Sequence, residues 1–291
     1  MSRILLAAWA ASIVFGGLAN TEGSGLALQQ VATRDLTPLD AARHISGKIG
    51  SRPASGRGER RAHDFVGRRF AAAGLGVRVN RFPVPGRKRS RNVIGRLETP
   101  ASCLLVLIAH TDSVPPGLGA NDNASGVGVL VGLAPRLVGH SPGCDIWLVA
   151  TGAEERPVTG LPYHAGAAAL VKTLKRDGRA RDLRFALSVD MVGRGRRFYL
   201  RSPEPRAREG VEGAILAAAR RADVTVRWSR DSGSGNSDHR EFELSGLAGT
   251  VLQVWRGTDP CHHEACDRPR RLHKPALNGA MRVAEEVVAG L

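Results

Sequence analysis

Residues 104–138 read LLVLIAHTDSVPPGLGANDNASGVGVLVGLAPRLV. The first six are aliphatic without interruption, as a strand buried on both faces requires. The run empties into a loop holding His110, Asp112 and Asp122 among Gly, Pro and Asn. Aliphatic residues then recur at helical spacing, so strand 103–109 leads through this loop to helix 123–138.

The same alternation continues downstream. Strand 145–151 leads to helix 162–176, and strand 183–190 and a short strand at 197–201 follow. Helix 205–221 leads to strand 224–228, and strand 249–255 leads to helix 275–289. Upstream, Thr37-Pro38 supplies an N-cap and an N1 proline for a helix running to about Ile49. A second helix spans Glu59–Ala73, burying Ala62, Phe65, Val66 and Phe70, with Gly74 and Gly76 ending it. Strands at 77–84 and 92–97 flank PGRKRSR. Alternation of this kind predicts an α/β single domain: a doubly wound, mostly parallel (mixed) sheet with helices on both faces. Ligands of such sheets bind beyond the carboxyl ends of the strands. That places His110, the pair Glu154 and Glu155, Asp190, and the pair His262 and His263 in loops at one edge.

The formal net charge of +15 invites a nucleic-acid reading. However, the charge is scattered, Arg carries nearly all of it with only five Lys, and aromatic residues make up 4%. Without a stacking series, no nucleic-acid partner is expected. At the N-terminus, Arg3 precedes the uncharged run Ile4–Ala19 with a small-residue end, which matches a secretory signal peptide over 1–19. The run is short for a membrane span, although an uncleaved N-terminal anchor is the alternative. Residues 20–36 read as an N-terminal extension and 37–291 as the functional domain. The expected mature protein is secreted or periplasmic, monomeric and without stable membrane association. Four cysteines suit export. Cys261 and Cys266 enclose four residues and can pair. Cys103 and Cys144 each stand at a strand start, and are either paired across parallel neighbours or two buried thiols.

So many carboxylates in one cleft would repel and raise one another's pKa. A pair of divalent cations removes that problem, and His with Asp and Glu suits zinc. Here the sequence resembles the M28-type zinc aminopeptidases over roughly residues 37–290. The matching pieces, in order, are IGSRPASGRGERRAHDFVGRRFAAAGLGVRVNRFPV, RNVIGRL, AHTDSV, GANDNASGVGVL, TGAEE, SVDMVG, SDHREF and PCHHEACD. The resemblance implies two zinc ions per chain and hydrolysis at the N-termini of peptides or proteins. It gives His110 and Asp190 to one ion, Glu155 and His263 to the other, and Asp122 to both, with a hydroxide between them. Glu154 becomes the general base, and Asp112 the acceptor for the far nitrogen of His110.

Two positions depart from the family pattern. A tyrosine that donates to the oxyanion often precedes the last histidine ligand. Here that position is His262, which is given the donor role, the alternative being that His262 rather than His263 is the ligand. Thr111 stands where Tyr or Leu is common. Asp238 and His239 are read as capping a following helix near the pocket, and His44, His63, His140, His164 and His273 as surface residues. Ser113 and Ser125 lack a nucleophile-elbow setting, and GLGANDNASG fails the dinucleotide pattern. Two other functions fit the same architecture. One is a single-zinc glutaminyl cyclase, similar in its DH-x-x-F segment Asp238–Phe242. The other is a non-catalytic exported binding module.

Overall fold

Eight stretches of the chain extend into one sheet: β1 (Gly76–Val84), β2 (Lys88–Leu97), β3 (Leu104–His110), β4 (Asp145–Thr151), β5 (Leu183–Val189), β6 (Phe198–Ser202), β7 (Val226–Arg230) and β8 (Gly249–Gln253). These come from a computed structural model, which describes residues 35–84, 88–139, 142–155, 164–231, 236–254 and 259–291. The expected signal peptide 1–19, the extension up to residue 34, and His140 lie outside them. The remaining chain, Asp35–Leu291, forms one unit.

The strand order is β1-β2-β4-β3-β5-β8-β6-β7. Four of the seven pairings are parallel, namely β3–β4, β3–β5, β5–β8 and β6–β7. The β1–β2 hairpin runs antiparallel, as do the β2–β4 and β6–β8 pairings. The α/β reading therefore holds, with a parallel centre and antiparallel joins on either side. The centre is parallel because each of its strands is aliphatic on both faces and needs cover above and below.

Alternate residues of β3 serve two layers. Leu105, Leu107 and Ala109 pack with α1 (Pro38–Arg43), α2 (Arg57–Ala72), α3 (Ser125–Leu137), α5 (Ala214–Arg221) and α7 (Lys274–Ala289). Leu104, Val106 and Ile108 face α4 (Ala165–Arg176) and Phe242 of the short α6 (His239–Glu243). None of the described helices is long and apolar enough to cross a membrane.

Helix starts follow local chemistry. The Thr37 hydroxyl accepts from Asp40 N, with Pro38 in the first turn. α3 opens later than expected because Asp122 and Asn123 hold non-helical dihedrals. Its first turn lies so close to β5 that a Cβ on Gly126 would sit 2.0 Å from the Val189 carbonyl oxygen. The helix expected from residue 205 begins at Ala214. Ahead of it the Arg208 guanidinium binds Glu212 and Glu243 and closes a wide turn.

Both cysteine pairs are bonded, Cys103 to Cys144 and Cys261 to Cys266. The first follows from register: parallel β3 and β4 pair Leu104 with Asp145, so the preceding residues lie side by side.

A candidate metal centre at the carboxyl ends of the central strands

The four parallel central strands β4, β3, β5 and β8 end at the same edge, and each contributes a loop to one cleft. His110 closes β3, Glu154 and Glu155 follow β4, Asp190 follows β5, and His262 and His263 lie beyond β8. Asp122 reaches the same place from the start of α3. All seven come together, and all but His262 and His263 are buried.

Asp122 is the centre of the arrangement. Its Oδ1 lies 3.1 Å from His110 Nε2, and its Oδ2 lies 3.4 Å from His263 Nε2 and 3.3 Å from His262 Nε2. His110 Nε2 is 3.5 Å from Asp190 Oδ1, and His263 Nε2 is 3.0 Å from Glu155 Oε2. Asp122 is fixed through its flanking residues. Its own N–H and that of Asn121 donate to the two oxygens of Asp267. The Asn121 amide spans Asp259 and Gly193 N, while Asn123 donates to the Val189 carbonyl. These two asparagines, which could have been simple turn formers, are buried cross-links between loops.

Charge is crowded here. Burial opposes ionisation of Asp122, but the three imidazoles hold its carboxyl well below the usual range. Burial pushes Glu155 well above its usual value, and the charges of Asp122 and Glu154 add to this. Burial would lower His263, yet Asp122 and Glu155 drive it up to about 10. His110 is likewise raised well above its ordinary value, against burial, by Glu154 and Asp190. Asp122, His110 and His263 are thus displaced towards their charged forms by opposite charges, whereas Glu155, where the acids crowd, is pushed towards its neutral form. A cation among the carboxylates would relieve that crowding.

The donor set fits zinc. Nitrogen at ~2.0 Å and carboxylate oxygen at ~2.1 Å, tetrahedrally disposed, stand roughly 3.4 Å apart. The observed spans of 3.0–3.5 Å among His110, Asp122, Asp190, Glu155 and His263 match that edge. Asp190 Oδ1 is buried without a hydrogen-bond donor, as a ligand oxygen would be. His110, Asp122 and Asp190 form one possible cation-holding group, and Asp122, His262 and His263 another.

Asp112 stands opposite the far nitrogen of His110, its Oδ1 3.7 Å from Nδ1. Its oxygens also accept from the backbone N–H groups of Glu154 and Glu155, fixing the loop after β4. Other expectations need correction. Asp238 makes no side-chain cap to α6, because its Oδ2 accepts from the Thr151 hydroxyl. His239 turns to Asp231 at 3.2 Å. His63 and His164 are buried rather than on the surface, while His44 and His273 are exposed as expected.

His164 is a site residue that sequence reasoning missed. Its Nε2 lies 3.2 Å from Glu154 Oε1 and its Nδ1 3.4 Å from Glu241 Oε1. Burial opposes protonation, but Glu154 and Glu241 raise His164 to about 10. Its backbone N–H also donates to the Glu154 carbonyl. A lone histidine nine residues after the glutamate pair carries no periodic signal.

Two further buried groups frame the cleft. The Arg52 guanidinium donates to the carbonyls of Thr111, Gly50, Leu118 and Gly119 at 2.7–2.8 Å. Glu59 accepts from Ala153 N, Ser55 N and the Ser90 hydroxyl.

Comparison with known proteins agrees with this layout. The zinc aminopeptidase BSAP from Bacillus subtilis superposes with a TM-score of 0.77 at 15% identity, over 88% of this chain and 94% of that one. A glutaminyl cyclase from Bacteroides thetaiotaomicron gives 0.72 at 19%, over 87% and 96%. The fold is therefore shared by enzymes of different chemistry. Among curated proteins, leupeptin-inactivating enzyme 1 of Streptomyces exfoliatus is 24% identical over 94% of this chain and 67% of its own length. The probable lipoprotein aminopeptidase LpqL of Mycobacterium tuberculosis is 29% identical over 66% of this chain, which spans only 44% of that protein. The sequence model of peptidase family M28 matches residues 92–288, the span from the second strand to the last helix that carries every residue of the cleft except Arg52 and Glu59, and the chain belongs to that family.

Proposed function

We propose that the protein is an exported aminopeptidase that hydrolyses the first peptide bond of peptides or proteins with two zinc ions. His110 and Asp190 would hold one ion, Glu155 and His263 the other, and Asp122 both. The observation that carries this reading is the division of labour within one carboxylate. Asp122 Oδ1 faces His110 while Oδ2 faces His263, so its oxygens serve opposite sides of the cleft. When bound, the ions supply a water acidified towards pKa ~7 and polarise the scissile carbonyl.

The chain's own groups do the rest. Glu154 places its carboxylate within 4.8 Å of the ligand atoms of His110 and Glu155, and 3.2 Å from His164. That contact, with Asp112 holding the Glu154 N–H, orients the carboxylate. Glu154 takes a proton from the attacking water and returns it to the departing amine, a role worth about 10²–10⁴-fold in rate. The cleft's acidic groups would receive the substrate's free ammonium, which favours cleavage at N-termini.

The signal-like run at 1–19 and two disulfides support export. A glutaminyl cyclase would need one ion only. The Glu155–His263 pair, a second set of donors across Asp122, favours the hydrolase.

Metal analysis beside a panel of aminoacyl-arylamide substrates tests the reading. Two zinc ions per chain and turnover are expected, with Glu154→Ala retaining metal and losing at least about 100-fold in kcat. Full activity in chelator with no metal bound would refute it.

A further inference from the structure

His262 and His263 lie in a turn, where side chains do not alternate as they do in a strand. His263 adopts a left-handed φ of 61°, which swings both imidazoles to one side. The rings stack with centroids 3.7 Å apart and planes 28° from parallel. Their Nε2 atoms converge on the same oxygen, Asp122 Oδ2, at 3.3 and 3.4 Å. Both spans equal the roughly 3.4 Å edge expected between ligands of a tetrahedral zinc.

The loop is held so that this convergence is built in. Cys261 is bonded to Cys266, Asp259 accepts from Cys261 N, and His262 N donates to the Asp259 carbonyl. Arg194 in turn binds both oxygens of Asp259.

We infer that His262 is a second imidazole ligand of the ion held by Glu155 and His263, and not the oxyanion donor that the family pattern suggests. The inference rests on the two-ion reading above. It makes the two positions unequal. The ion beside Glu155 gains four protein ligands: His262, His263, Glu155 and Asp122. The ion beside His110 has three: His110, Asp190 and Asp122. Four protein ligands close a zinc site and three leave it open.

The test compares the wild-type protein with His262→Phe, which keeps a stacked ring but no ligand nitrogen, using zinc alone as the probe. Zinc K-edge absorption should count three imidazoles per two zinc ions in the wild type and two in the variant. Competition with a chromogenic chelator should show one of the two ions weakened by at least about 100-fold, more than the loss of a residue that merely supports a ligand, and the other unchanged. Circular dichroism of the metal-free proteins checks that both are folded. Two imidazoles in the wild type, or unchanged affinity for both ions in the folded variant, would overturn the assignment. A wild-type protein binding fewer than two ions would instead bring down the two-ion reading before the variant is measured.

Discussion

The loops after β3 and β4 carry most of the cleft's acids, and both are braced from the short segment Ser51–Glu59. They are braced in opposite ways. The β3 loop presents carbonyls, and Arg52 meets them with a cation. The β4 loop presents the Ala153 N–H, and Glu59 meets it with a carboxyl. The same neighbour then acts on each brace. Burial lowers Arg52 to about 10, against the pull of Asp112, Asp267 and Asp122, so it stays charged at neutral pH. Burial lifts Glu59 to about 8, and the charge of Asp112 pushes in the same direction. A field of carboxylates thus favours a buried cation and disfavours a buried anion. The first brace is ionic, whereas the second is close to neutral at pH 7.

Removing the ionic brace should have the largest effect. Arg52→Met would leave the Thr111, Gly50 and Leu118 carbonyls without donors, while Gly119 keeps the Ala124 N–H. At about 1–3 kcal/mol each, partly relieved by entering water, the loss is on the order of 5 kcal/mol. That is comparable with the whole stability of many domains. Guanidinium denaturation of the metal-free protein should show collapse of the folded state or a large drop in midpoint. Arg52→Lys should recover only part of it, because an ammonium has three donors and no planar fork. An unchanged midpoint in Arg52→Met would show that the β3 loop does not need its cation.

The asymmetry between braces also separates what was legible in the sequence from what was not. Strands 145–151 and 183–189 and the stretch around 104–110 were readable to within a residue or so, since uninterrupted aliphatic runs have one good use in a parallel sheet. His110, Asp122, Glu155 and Asp190 lie at or just past a strand end or before a helix start, where the topology brings them, whereas His263 lies in a turn well beyond β8. Arg52 and Glu59 were visible only as letters in the IGSRPASGRGE piece of the family resemblance, because backbone carbonyls and N–H groups leave no mark in a sequence. His63 could have been read correctly. It shares one helical stripe with Glu59, Ala62, Val66 and Phe70, all buried. His164 could not, and nor could the convergence of His262 and His263, which depends on a left-handed dihedral.

His63 sharpens the comparison on the β4 side, where its Nε2 lies 3.4 Å from the Thr151 carbonyl. Burial, with the Arg91 charge in support, lowers it from 6.5 to about 4. Its Nδ1 is buried without a partner, so a second ring proton would find no acceptor. The unfolded chain therefore takes up this proton first as pH falls. The contribution of His63 is intact above about 6.5 and lost progressively down to about 4, in total about 3 kcal/mol. His63→Gln keeps a donor for Thr151 but cannot titrate. Denaturation midpoints measured between pH 7 and 4 should fall less steeply in that variant. Parallel pH slopes would place the acid sensitivity elsewhere.

The smallest effect belongs to the neutral brace. A protonated Glu59 keeps all three of its contacts, because the Ser90 hydroxyl accepts as readily as it donates. An amide cannot keep them. In Glu59→Gln the NH₂ group must face either Ser55 N–H or Ala153 N–H, whichever way it is turned. One hydrogen bond is lost, at about 1–2 kcal/mol. The raised value of Glu59 also sets a sign: its contribution is complete below 4.5 and fades as pH rises through about 8, and Gln removes that dependence. Metal-free wild type should therefore hold its largest advantage over the variant at pH 5, and the variant should overtake it towards pH 9. A wild-type advantage that grows with pH would mean that Glu59 is an anion at neutrality, and that the β4 loop is braced by charge after all.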